Sequence, residues 1–204
     1  STRGNDSLVN QLFSKLYMWN MLNTKYIIVP AGEDRSSIPF KNPQANGNAW
    51  FVKNITFVEN ADKEITSLGS FDTKAAAVMQ VKYKGEVGAD ANYSGNGSIK
   101  LTSYKPNHLV YESESGEKQF AVFSEIYYPK GWNAYVDGNL VPHGAVDYVL
   151  RGMPIPAGKH KVEFKFEPQT YKTGNSIAMA GSILVFLTIG ISAYMEFKKN
   201  KSQA

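Results

Sequence analysis

The residue types best suited to chemistry fall within one stretch: Glu125, Tyr127, Tyr128, Trp132, Asp137 and Arg151. Sugars bind by laying their C–H faces on aromatic rings while carboxylates and guanidinium groups fix the hydroxyls. This set therefore reads as a carbohydrate-binding candidate. The competing reading makes Trp132 and the tyrosines core or turn anchors. In the strand pattern Trp132, Ala134 and Val136 share one face and Asn133, Tyr135 and Asp137 the other, which favours the core reading for Trp132.

Outside that stretch the sequence offers little chemistry. With no cysteine, disulfides, thiolate metal sites and cysteine nucleophiles are excluded. His108, His143 and His160 read as surface or turn residues rather than metal ligands, and no Gly-x-Ser-x-Gly elbow occurs. Gly95-Asn96-Gly97 lacks a following helix, so it is no phosphate cradle. Glu112, Glu114 and Glu117 suit a solvated hairpin, and Asn5, Asn54, Asn92 and Asn96 begin glycosylation sequons to which no weight is given. No catalytic residue, cofactor or metal site is expected. The formal charge of +4 is dispersed, which argues against a nucleic-acid partner.

These side chains need a scaffold, and the pattern predicts a mainly β protein, a β-sandwich. The chain has 204 residues and a 13% aromatic share, which suits strands. From Val78 onward seven short runs bounded by turn residues read as strands: VMQVKYKGEV, SIKLTSYK, HLVYESES, QFAVFSEIYY, WNAYVDG, DYVLRGM and HKVEFKFEP. Val162, Phe164 and Phe166 alternate with Lys161, Glu163 and Lys165, giving one buried and one wet face. Asp137-Gly138 predicts a hairpin turn, and Pro156-Ala157-Gly158 a turn into the last strand.

Residues 1–77 predict a small α+β segment. It comprises a helix over 7–22, a strand Tyr26–Val29 ended by Pro30, a loop over 31–48, a strand Ala49–Val58 and a helix capped by Asn60. Phe71–Ala77 is ambiguous. The divisions expected are 1–77, a sandwich over 78–170, a transmembrane helix over 173–197 and a tail over 198–204.

The membrane signal is the strongest in the sequence. No charged residue occurs from Thr173 to Met195. As a helix, Ile177–Met195 would span roughly 28 Å, close to the ~30 Å hydrocarbon core. Lys198, Lys199 and Lys201 follow, and the positive-inside rule places that tail in the cytoplasm and the bulk of the chain outside. The competing reading is a buried core helix of a soluble protein. The chain begins Ser-Thr-Arg, without a signal peptide, so it is expected to be the C-terminal end of a longer chain whose earlier spans deliver it. Gly181, Gly190 and Ala193 suit close packing against such spans.

Ser124–Pro168, with its Tyr-Tyr-Pro-x-Gly-Trp run, Val-Asp-Gly and Pro-Ala-Gly-Lys-His, resembles the C-terminal region of the YfhO family of bacterial multispanning membrane proteins. Met21–Ile28 and Asn48–Val52 are also similar to that family, in the expected order. The resemblance implies a polytopic glycosyltransferase that takes sugar from a polyprenyl-phosphate carrier and modifies envelope polymers. It implies a catalytic acid on an early external loop outside this sequence, so no catalytic residue carries over. The implied partners are the membrane, upstream transmembrane helices of the same parent, and a polyprenyl-linked sugar or envelope glycan acceptor. A structural or carbohydrate- or protein-binding module without transferase activity is the alternative.

Overall fold

The computed structural model describes residues 11, 13–31, 36–69 and 71–202. Its body is three layers. The outer sheet has strand order β10-β9-β13-β7-β6, built from β6 (Gly97–Lys105), β7 (His108–Ser115), β9 (Trp132–Val136), β10 (Asn139–Val141) and β13 (Gly158–Phe166). The middle sheet, order β11-β12-β8-β3, comprises β3 (Ala49–Val52), β8 (Gln119–Ile126), β11 (Gly144–Val146) and β12 (Leu150–Ile155). Between them lies a core of Leu109, Tyr111, Phe123, Met153, Val162 and Phe164, with Tyr111, Phe123 and Phe164 in edge-on ring contacts. The fold class is as the sequence predicts.

The middle sheet is covered on its other face as well. There Trp50, Val52, Phe120 and Val122 meet Ile55, Leu68, Met79 and Val87 of a small α/β layer. That layer is a parallel pair, β4 (Asn54–Val58) and β5 (Ala76–Gln80), with helices α2 (Ala61–Ser67) and α3 (Val81–Val87). Burial on both faces explains why Gln119–Phe123 is buried without alternation. Asn60 caps α2 as expected, its side chain accepting from the Lys63 amide at 2.9 Å.

Several sequence expectations change. Ala49–Val58 is two strands in different sheets, broken at Lys53, whose amide donates to the Ala75 carbonyl. Val81–Val87 is a helix rather than part of a strand; it closes on Gly88 in the left-handed region, and Tyr83 and Val87, one turn apart, lie against Gly144. The loop expected over 31–48 contains a strand. β1 (Tyr26–Ala31) runs through Pro30 and pairs with β2 (Ser36–Lys41) in a separate two-stranded ribbon, where proline costs no sheet interior. The helix expected over 7–22 lies partly outside the described residues. Within them it breaks at the non-helical Leu16 before α1 (Tyr17–Met21).

The chain ends in α4 (Gln169–Ser202). None of the apolar window within Gln169–Met195 is covered by the rest of the protein, unlike the core helix of a soluble protein. At 1.5 Å per residue α4 is about 50 Å long, enough to cross the hydrocarbon core and protrude.

Candidate functional site

Trp132 opens β9 and pairs across the sheet with Phe166, the last residue of β13; α4 starts three residues later. The Glu167 amide donates to the Gly131 carbonyl, which ties the β8–β9 connection to the root of α4. Trp132 therefore sits at the helix-proximal end of the sandwich. It is half-buried, packed against the inter-sheet core and tilted on Phe166 with ring centres 5.4 Å apart.

Arg151 reaches the same place from the middle sheet. A register shift between Leu150 and Arg151 leaves Ser124 and Glu125 without direct partners on β12, and such a bulge re-aims the side chains around it. The guanidinium of Arg151, 3% exposed, lies 4.3 Å from the Trp132 ring centre and 5.1 Å from that of Phe164. Its Nε donates to the Ile126 carbonyl at 3.0 Å, while Nη1 has no partner among the described residues. Burial draws its pKa down, with Glu125 opposing. Burial likewise raises the Glu125 carboxyl, and Arg151 restrains that rise.

Tyr127 and His143 complete the site. Their rings meet edge-on at 5.6 Å, and His143 also meets Phe164 at 5.4 Å. Burial, then the Arg151 charge, holds the His143 pKa down at about 4, so its imidazole is neutral at pH 7. The buried Tyr111 hydroxyl and His143 Nε2, like Arg151 Nη1, have no partner among the described residues. All three side chains surround the Phe164 ring.

In front of this cluster is a cleft of about 430 Å³ lined by Tyr127, Pro129, Trp132, Asn133, Leu140, Pro142 and His143. That is within the ~300–1,000 Å³ typical of small-molecule sites. It shares Pro129 and Asn133 with a second groove of about 590 Å³ that runs along Tyr128, Lys130, Glu167 and Gln169 to the start of α4. The arrangement suits binding: flat aromatic walls, amide and imidazole hydrogen-bonding groups, and a fixed cation behind Trp132.

Of the six residues singled out in the sequence, Glu125, Tyr127, Trp132 and Arg151 converge. Tyr128 is half exposed and belongs to the neighbouring groove. Asp137 lies at the opposite end of β9, in the β9–β10 turn, where it accepts from His160 Nδ1 at 2.6 Å and the Lys161 amide at 2.8 Å. The hydrogen bond from His160, then that from the Lys161 amide, keeps its carboxyl below the usual range. His143 is a turn residue but not a surface one; its packing against Phe164 comes from a strand far along the chain, which no local signal announces. Glu163, expected in water, is buried under His108, Lys161 and Lys165 at 2.8, 3.3 and 3.5 Å.

Sequence reasoning also missed an acidic pair between the layers. Glu64 is fully buried, accepting from Gln80 Nε2 at 2.7 Å and the Tyr148 amide at 3.1 Å. Asp147, equally buried, accepts the Val78 amide at 2.8 Å through Oδ1, while Oδ2 has no partner among the described residues. Burial raises the Asp147 carboxyl to about 8, with Glu64 adding to the rise.

No curated protein and no solved structure matches this chain. A family model described as bacterial membrane protein YfhO matches residues 64–178, over half the sequence, from within α2 into α4. Every residue of the cleft and of the cluster behind it falls inside that match, and the match runs on into the one helix among the described residues that is long and apolar enough to cross a membrane. The chain belongs to the YfhO family of bacterial membrane proteins.

Proposed function

We propose that this chain is the extracytoplasmic C-terminal domain of a lipid-linked-sugar glycosyltransferase of the cell envelope. It does not catalyse transfer by itself; it recognises the sugar of the polyprenyl-linked donor or of the glycan acceptor. One observation carries this reading: the aromatic cleft formed by Tyr127 and Trp132 is at the end of the sandwich from which α4 leaves. A sugar attached to a membrane lipid can reach that end and not the opposite one. The Lys198–Lys201 run supports a cytoplasmic C-terminus and an external sandwich. Gly181, Gly190 and Ala193 put small residues on α4, which suits close packing against upstream spans of the parent.

The alternative, a structural or binding module with no link to transfer, draws support from the packing of Trp132 on the core. The two readings separate in membranes carrying the full-length parent. With a radiolabelled polyprenyl-phosphate sugar, the parent should transfer label to envelope polymer, a parent carrying Tyr127→Ala should transfer less, and this chain alone should transfer none. Transfer by this chain alone would refute the non-catalytic assignment. An unaffected Tyr127→Ala parent would favour the structural alternative.

A further inference from the structure

We propose that the helix-proximal end of the domain rests on the lipid surface, with the β1–β2 ribbon as its principal contact. Three segments meet at that end. The β6–β7 turn lies beside the end of β13, where the Phe166 amide donates to the Asn107 carbonyl at 3.0 Å; Tyr104 in this turn region is 65% exposed. The β8–β9 connection carries the half-exposed Tyr128 into the groove beside Gln169 and Thr170. Near the end of β8, Ser124 Oγ donates to the Met21 carbonyl at 2.8 Å, which fixes α1 at the same level. The exposed Met18, Trp19 and Leu22 belong to α1 and its cap.

The ribbon springs from that point. Its base is closed by the Asn42 amide donating to the Lys25 carbonyl, four residues after Met21. Tyr26 and Ile28 are 59% and 69% exposed. The register places them, with Pro39, Ser37 and Lys41, on one face and Ile27, Ile38 and Phe40 on the other, so both faces carry large apolar side chains. No other element packs closely against the ribbon among the described residues. A lone two-stranded ribbon is marginal in water, and one with large apolar side chains on both faces and a lysine at its base suits a surrounding that is apolar beneath a polar rim.

The occupant is lipid because the patch is continuous with the place where α4 enters the membrane. Its composition also fits the boundary between headgroups and acyl chains. Trp and Tyr favour that boundary, and Lys25, Lys41, Lys105 and Lys130 are interspersed to meet anionic headgroups.

The cysteine-free sequence makes the test direct. Single nitroxide labels are placed through Ile28→Cys, Ile38→Cys and Tyr104→Cys, with Asn139→Cys at the opposite end as control. The full chain is reconstituted in phosphatidylethanolamine–phosphatidylglycerol vesicles, and collision with oxygen is compared with collision with a water-soluble nickel chelate. Oxygen-to-nickel ratios several-fold above the control at positions 28 and 38, with an elevated ratio at 104, are expected. Ratios equal to the control at the two ribbon positions would overturn the proposal, as would shielding from both reagents, which would mean that protein covers the ribbon.

Discussion

Arg151→Met separates a binding role from a structural one. In the folded chain the guanidinium is nearly inaccessible and makes one hydrogen bond among the described residues, to the Ile126 carbonyl. Such a bond to a charged group is worth about 1.5–3 kcal/mol. The Trp132 and Phe164 rings add about 2 kcal/mol for a desolvated cation–π contact. Against this stands the desolvation of the ion, several kcal/mol, and Nη1 recovers none of it from a partner among the described residues. Among the described residues no carboxylate forms an ion pair with the group; Glu125 acts on it through its charge alone. Favourable and unfavourable contributions thus nearly cancel. Methionine is of similar length, keeps contact with the rings and removes the desolvation cost. The expected change in stability is within ~1 kcal/mol of the parent, in either direction. Arg151→Ala, which leaves a void behind Trp132, should cost about 2–4 kcal/mol. Thermal melts of the chain in detergent, followed by circular dichroism, measure both. Titration with a polyprenyl-phosphate sugar should show Arg151→Met binding at least about tenfold more weakly, ~1.4 kcal/mol. A loss above ~3 kcal/mol in the melt of Arg151→Met would make Arg151 a structural brace and refute its assignment to binding. Unchanged sugar affinity would remove it from the site.

Two further outcomes are expected. The Asp147 carboxyl is raised by burial to about 8, so the folded chain holds a proton that the unfolded chain releases near pH 4. Stability should therefore fall as pH rises from about 4 to about 8. Asp147→Asn, which keeps the acceptor for Val78 and tolerates the φ of +50°, should flatten the Tm–pH curve over that window; an unchanged slope would exclude Asp147 as its source. A periplasm-type reporter phosphatase fused after Ala204 should be silent because the Lys198–Lys201 run favours the cytoplasm, and activity there would invert the topology.

What the sequence made legible was local. The Asp137-Gly138 turn is visible because both residues take positive φ, +50° and +83°, where Asp and Gly are favoured. The Val162–Phe164 alternation is visible because Val162 and Phe164 enter the inter-sheet core while Glu163 is covered on the other face by His108, Lys161 and Lys165, and α4 because it is long and apolar enough to cross a membrane. Elements whose neighbours are remote were hidden. Val81–Val87 alternates like a strand, yet its burial is set by Gly144 of β11. Ser36–Lys41 looks like a loop until Tyr26–Ala31 pairs with it. At the site, the convergence of Glu125, Tyr127, Trp132 and Arg151 follows from three nearby positions and one strand, β12, that returns beside them with Arg151. Asp137 reads as their neighbour in sequence, but the length of β9, about 13 Å from Trp132 to Val136, carries it away. His143 and Tyr111 were illegible, since only the packing around Phe164 joins them to the cluster.

That separation along β9 supplies the most direct test of the central claim, that the helix-proximal cleft holds the sugar. The reconstituted chain is titrated with one polyprenyl-phosphate hexose, reading its tryptophan fluorescence, for the parent, Tyr127→Ala and Asp137→Asn. The parent should bind, Tyr127→Ala should weaken binding at least about tenfold, ~1.4 kcal/mol, and Asp137→Asn should bind like the parent. Binding lost in Asp137→Asn but kept in Tyr127→Ala, or no binding by the parent, would contradict that claim.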